Sequence, residues 1–292
     1  MLIARVIAEP SALSASGDKA VQALEAAGLI VRTMDALAGF DDVVELAIEG
    51  EAAAARAAID SALHPSDLLL SRGAPVVPGV FVSDMDSTMI GQECIDELAD
   101  FAGLKDRIAA ITERAMQGEL DFAEALSERV RLLDGLSVDA IEQCLAERIR
   151  PMPGARVLVE TLKAHGCATV LVTGGFHQFA DPVAEWLGFE DVVGNRLATG
   201  QGHLTGGLVG DIVDSSVKER VLREAVIRHD AAASLATGDG ANDIPMLVAA
   251  DYGFAYHAKP KARAAANGAI DRGDLTSVLK LLGIPQTDWA GA

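Results

Sequence analysis

One stretch limits what this chain can fold into: Pro78-Gly79-Val80-Phe81-Val82-Ser83-Asp84-Met85-Asp86-Ser87-Thr88. Its first half is short, β-branched and aromatic behind turn residues, which predicts a buried strand. Its second half sets two carboxylates two positions apart. Side chains at i and i+2 of extended chain share one side, so Asp84 and Asp86 aim at one volume beyond the strand end. Like charges placed there raise each other's cost of ionising unless a cation lies between them. A divalent metal is implied.

An EF-hand calcium loop opens in the same way, but it needs Gly at its sixth position and Glu at its twelfth, where this chain has Met89 and Ile95. Composition narrows the rest. With 292 residues, half of them hydrophobic, the chain suits two modest domains with their own cores. A formal charge of -19 disfavours nucleic acid and anionic lipid as partners and favours cations. There is neither a long apolar run nor a leader-like N-terminus, so the expected address is the cytoplasm and no membrane partner is expected. Cys94, Cys144 and Cys167 are odd in number and far apart, and are expected to be reduced and buried.

Residues 1–72 alternate by period and length as strand Leu2–Ile7, helix Lys19–Ala27, strands Leu29–Met34 and Asp42–Ile48, helix Glu51–Leu63 and strand Asp67–Leu70. This βαββαβ order resembles the ferredoxin-like split motif and, more loosely, ACT-type regulatory domains. A dimerising role, giving a homodimer through this unit, is one expectation for it. Ser71 to Pro78, with one Gly and two Pro, suits a linker to a second domain over 73–292. From Glu93 to Arg148 the period is helical throughout, with Ser137 placed as a helix cap. That predicts a helical cap over about 91–150, inserted at the carboxyl edge of a sheet like a lid.

Strand and helix alternation then resumes. Ala168–Val172 is a strand ending in Thr173-Gly174-Gly175, and Ala233–Thr237 is a strand ending in Gly238-Asp239-Gly240-Ala241-Asn242-Asp243. The Gly-rich stretch Gly200–Gly207 nearly imitates a dinucleotide fingerprint, but its third glycine is one residue late, and a β-hairpin flap is expected. Lys218 opens the helix Glu219–His229.

In a parallel α/β domain the carboxyl ends of the strands lie along one edge, where ligands bind. An acid pair, a hydroxyl with two glycines, and an acid cluster would meet there. These are the parts of phosphoryl transfer, in which a protein chiefly positions the group and neutralises its charge. Mg²⁺ takes one or two carboxylates plus waters, so Asp84 and Asp239 with a backbone carbonyl suffice. The candidate ligand positions are Asp84, Asp86 and Asp239, supported by Asp243 and Asn242. Lys218, Thr173 and the Gly174 and Gly175 amides are placed to hold phosphate oxygens. Asp84 is the candidate nucleophile, and Asp86 the proton donor and acceptor.

Asp84-Met85-Asp86-Ser87-Thr88, Thr173-Gly174-Gly175, Lys218 and Gly238 through Asp243 resemble, in order, the four motifs of the haloacid dehalogenase superfamily. Within it, residues 78 to 260 are similar to the phosphoserine phosphatase family. Glu93, nine residues past the nucleophile, and Met116, Phe122 and Arg129 stand at that family's cap landmarks. The resemblance implies a Rossmann-like parallel sheet with a helical cap, Mg²⁺ as cofactor, and hydrolysis of O-phosphoserine through an aspartyl phosphate. Glu93 would face the substrate ammonium and Arg129 its carboxylate, with Met116, Phe122 and Asn242 completing the pocket. Two positions depart from the pattern: Thr173 stands where serine is common, and His177 stands where a small polar residue is expected, as a lining residue without an assigned role. Another small phosphomonoester is the alternative substrate, and a phospho-accepting regulatory module the alternative function.

Overall fold

The protein is described by a computed structural model over residues 1–9, 13–116 and 119–291, with only the main chain of Met116. The first unit runs β1 (Leu2–Ile7), α1 (Leu13–Ala26), β2 (Ile30–Ala36), β3 (Val43–Glu49), α2 (Ala52–Leu63) and β4 (Asp67–Arg72). Its strands are antiparallel in the order β2-β3-β1-β4, the split βαβ arrangement expected from the element order. Leu24 of α1 and Ile59 of α2 close over Leu46 and Ile48 to form a separate small core.

The second unit begins with β5 (Val80–Ser83). Four helices follow as an insert: α3 (Cys94–Phe101), α4 (Lys105–Met116), α5 (Phe122–Arg131) and α6 (Val138–Arg148). Next come α7 (Ala155–Ala164), β6 (Ala168–Phe176), α8 (His177–Leu187), the hairpin β7 (Asp191–Gly200) and β8 (His203–Val209), and α9 (Ser215–Arg228). The chain ends through β9 (Ser234–Gly238), α10 (Ile244–Ala249), β10 (Tyr252–Tyr256), α11 (Pro260–Ala265), β11 (Gly268–Ile270) and α12 (Thr276–Leu282). The Gly-rich stretch is the tip of the expected hairpin, with Gly200 opposite His203. Ser137 caps α6 by accepting the Asp139 N–H at 3.2 Å.

β5 sits mid-sheet, pairing in parallel with β9 on one side and β6 on the other. Its continuous apolar run has a plain cause. Phe81 faces the larger core, packing at 5.8 Å on the Phe189 ring, while Val80 and Val82 face a second core on the opposite side. Each such buried side chain contributes about 1.5–3 kcal/mol, so this strand resists displacement and the loop after it inherits a fixed origin.

The two units share one eleven-stranded sheet, because β4 pairs antiparallel with β11. The expected linker therefore begins inside a strand: Ser71 and Arg72 belong to β4, and only 73–79 connect. Asp67 seals the junction. Its carboxylate accepts the N–H groups of Asp271, Arg272 and Gly273 and the Ser277 hydroxyl, each at 2.9 Å. No helix among the described residues is long and apolar enough to cross a membrane.

Candidate active site

The carboxyl ends of β5, β6 and β9 bring the three sequence motifs together. Asp84 leaves β5 with its N–H bonded to the Thr237 carbonyl at 3.0 Å, and Ser83 meets Thr237 through their hydroxyls at 2.7 Å. Behind Asp84 lies Lys218, held in the first turn of α9. That helix is capped by Asp214, whose carboxylate accepts the N–H groups of Ser216 and Val217. Lys218 Nζ reaches Asp84 Oδ1 at 2.7 Å and Asp243 Oδ1 at 2.6 Å, with both carboxylates and the ammonium almost sealed from solvent. Asp243 spends its other oxygen on the N–H groups of Asp239 and Gly240, at 3.1 and 2.9 Å. Glycine at 238 is what lets that carboxylate approach, since a Cβ there would lie 2.5 Å from Asp243 Cγ.

Carboxylate oxygens of Asp84, Asp239 and Asp243 lie within 4.8 Å of one another. One buried ammonium, Lys218, and one exposed ammonium, Lys259, against three carboxylates leave negative charge in excess. Burial, then the Asp243 charge, push Asp84 well above the usual carboxylate range, although Lys218 opposes them. Burial likewise raises Asp239. Lys218 moves the other way from an ordinary buried lysine: burial pulls it down, but Asp84 and Asp243 outweigh this and hold it protonated. An all-oxygen donor set with uncompensated charge fits a hard divalent cation. Asp86 lies outside that trio. Its Oδ1 accepts the Cys94 N–H at 3.1 Å where α3 begins, and burial, followed by repulsion from Glu93, pushes its carboxyl up to about 7. All three cysteines are free and buried, as expected.

A cavity of 280 Å³ opens over these groups, lined by Asp84, Asp86, Glu93, Phe122, Arg129, Thr173, Gly174, Gly175, Asp239 and Asn242 among others. Every described candidate from the sequence faces it except Lys218 and Asp243, which stand beneath Asp84, and His177. The Thr173 hydroxyl accepts the Gly175 N–H at 2.8 Å, so that amide is internally bonded here and does not stand free as expected. A Cβ at Gly175 would lie 2.9 Å from Asp86 Oδ2 and 3.1 Å from Thr173 Oγ1, and one at Gly174 would lie 3.3 Å from Phe122 Cζ. Bare backbone is needed at both positions for the cap and the acid to come this close.

On the cap side, Glu93 Oε1 accepts the Ser87 hydroxyl at 2.9 Å, with Ser87 at φ 55 turning the loop back. Burial raises Glu93. The half-buried Arg129 donates Nε to the Ala125 carbonyl at 3.3 Å and, among the described residues, forms no ion pair. Burial pulls its guanidinium below the usual value. Phe122 stands half open at the mouth. The Met116 side chain lies outside the described residues. His177 is not a lining residue: its ring Nδ1 meets Asp181 Oδ1 at 2.7 Å one turn along α8.

Sequence reasoning missed two contributors. Buried Asn195 donates to the Gly174 carbonyl at 2.8 Å and accepts the Val213 N–H at 2.9 Å, holding the β6 end against the segment that leads into α9. Lys259, just before α11, lines the cavity and places Nζ 3.4 Å from Asp239 Oδ2. Neither sits in a motif, and only strand pairing brings them close.

The family model of the haloacid dehalogenase-like hydrolases matches residues 81–248. The phosphoserine phosphatase of Polaromonas sp. is 44% identical over 206 residues, covering 68% of this chain and 87% of the relative. That of Archaeoglobus fulgidus is 42% identical over 208 residues, covering 70% of this chain but only 60% of its own length. Among solved structures, the unliganded probable phosphoserine phosphatase from Vibrio cholerae superposes with a TM-score of 0.76 at 32% identity, over 98% of this chain and 87% of that one. The chain belongs to the haloacid dehalogenase-like hydrolase family, in the branch of the phosphoserine phosphatases.

Proposed function

We propose that this chain hydrolyses O-phosphoserine to serine and phosphate, with Mg²⁺ as cofactor and Asp84 as nucleophile, and that its catalytic domain starts after the 73–79 connection. The observation that carries this is the set of charges in a single cavity. Asp84 stands there among acids and beside a buried lysine, and the same cavity presents Glu93 and an Arg129 that has no ion-pair partner among the described residues. A phosphorylated amino acid has the matching charges: phosphate at one end, ammonium and carboxylate at the other. A planar guanidinium meets a carboxylate in two-point contact.

Asp84 and Asp239, with a backbone carbonyl, would hold the metal. Both oxygens of Asp243 are already engaged, so it positions Lys218 and the β9 loop. Bound there, Mg²⁺ supplies charge neutralisation for the phosphate oxygens. Lys218 orients Asp84 and favours its ionised form against the burial that opposes it. An Asp84 oxygen bonds to phosphorus while the phosphorus–serine oxygen bond breaks, and Asp86 gives its proton to the departing serine oxygen. Asp86 then takes a proton from water as the water oxygen bonds to phosphorus. The Asp84–phosphorus bond breaks and phosphate leaves. The elevated Asp86 suits both transfers near neutral pH. Phe122, at the mouth, would exclude water as the cap closes.

The test is phosphate release from O-phosphoserine with and without Mg²⁺, set against phosphoethanolamine and sugar phosphates. Metal-dependent release, fastest with O-phosphoserine, is expected. A faster rate on a substrate lacking the amine or the carboxylate would reassign the cap residues.

A further inference from the structure

Lys259 is the cation of this site that the chemistry above leaves without a task. β10 ends at Tyr256, His257 turns the chain at φ 41, and the Lys259 N–H bonds to the Asp239 carbonyl at 2.9 Å. The helix that follows is anchored firmly. Arg263 makes two bonds to Asp60 of α2, at 2.9 and 2.8 Å, and further bonds to Asp271, while Arg56 donates to the Ala266 carbonyl at 3.1 Å. The base of Lys259 is therefore fixed, whereas its head is free: the side chain is 70% exposed against 11% for the Asp239 carboxylate it approaches. Lysine carries its charge on a flexible four-carbon stem. Lys218 cannot serve Asp239 in its place, being committed to Asp84 and Asp243 by two short contacts. Glu93 lines the same cavity, and Lys259 eases its ionisation, as Arg129 does from the cap.

We propose that Lys259 is a tethered counter-ion, which neutralises the Asp239 side of the site until a divalent cation binds and displaces it, thereby setting cation affinity. The proposal rests on the reading that Asp84 and Asp239 hold that cation. An exposed contact of 3.4 Å is weak enough to be displaced without a large cost, yet its positive charge opposes an incoming cation. Lys259 is on this view a positioning residue that acts through Asp239.

The experiment is calorimetric titration of Mg²⁺, and of Mn²⁺ followed by electron paramagnetic resonance, into the metal-free full chain and its Lys259→Ala and Lys259→Arg variants, without substrate. Lys259→Ala is expected to bind the ion roughly two- to fivefold more tightly, and Lys259→Arg to match the unaltered chain. Unchanged or weaker binding by Lys259→Ala, with the unaltered chain binding normally, overturns the counter-ion role and leaves the metal assignment standing. An unaltered chain that binds neither ion overturns both.

Discussion

Lys218 Nζ stands 2.7 Å from Asp84 Oδ1 in a pocket that leaves 1% of the lysine and 6% of the aspartate side chain exposed. A buried charge that loses its partner is far costlier than the pair is valuable. Lys218→Met leaves Asp84 and Asp243 facing each other without a cation, and is expected to cost about 3–5 kcal/mol in urea unfolding and to abolish phosphate release. Adding Asp243→Asn to that variant should recover part of the stability and none of the activity. Unfolding of Lys218→Met at the unaltered midpoint would show that the pair does not hold the site together.

The separate contacts of Asp84 and Asp86 imply separate failures. Asp84→Asn removes the nucleophile and should yield no phosphorylated protein by mass spectrometry of acid-quenched reactions. Asp86→Asn keeps the nucleophile and loses the proton carrier, so phosphoprotein should form slowly and persist, with turnover down about 10²–10⁴-fold. Equal turnover in the two variants would reassign both roles.

Arg129 and Glu93 should divide substrate recognition by charge. Arg129→Ala is expected to lower kcat/KM for O-phosphoserine about 10- to 100-fold and to change phosphoethanolamine hydrolysis little, since that substrate has no carboxylate. Glu93→Gln should weaken both. The ratio of the two rates in each variant is the measurement, and an unchanged ratio in Arg129→Ala would separate it from the substrate carboxylate.

Gly175→Ala tests the backbone approach at the end of β6. The added Cβ would press on Asp86 Oδ2 and Thr173 Oγ1, at 2.9 and 3.1 Å, and would only touch the larger core at Met85 Cε, 3.3 Å away. A folded protein with kcat reduced about 10²-fold is expected, from displacement of the proton carrier by a fraction of a bond length. Circular dichroism checks the fold, and steady-state kinetics the loss.

Stability should depend on pH through the Arg263 cluster. Burial works to raise Asp60 and Asp271, but hydrogen bonds from Arg263, joined by Arg56 at Asp60, outweigh it and hold both below the ordinary range. Their contribution is therefore complete above the unfolded carboxylate value of about 3.9, and is lost as pH falls through the lower folded values. Arg263→Met should lower Tm at pH 7, by about 2 kcal/mol of stability, and the gap from the unaltered chain should narrow as the solution is acidified below pH ~4. A gap that is constant with pH would place the effect in packing.

Much of this could be read directly from the chain. The β5 run, the hydroxyl and glycines after Val172, the acids after Gly238 and the helical period of the cap are local signals, each contained within a few turns or one strand. Near-neighbour sterics and apolar periodicity set them. What escaped was of another kind. The last thirty-odd residues carried no chemical motif, yet they supply Lys259 to the cavity and β11 to the sheet. His177, conspicuous beside the Thr173 motif, turned out to be bonded to its own helix.

The chain alone determined which residues carry charge and the order of its strands and helices, because backbone preferences and hydrophobic spacing act over short distances; the starts were less exact, since α1 begins at Leu13 and α9 at Ser215, ahead of the expected Lys19 and Glu219. Only the folded sheet decided that Lys218 would lie beneath Asp84, that Asp243 would be spent on amides, and that the first unit would join the second edge to edge through β4 and β11. Those outcomes depend on strand order and on how far a side chain must travel to find a partner once water is gone. Such distances exist only after residues remote in the chain have been packed together.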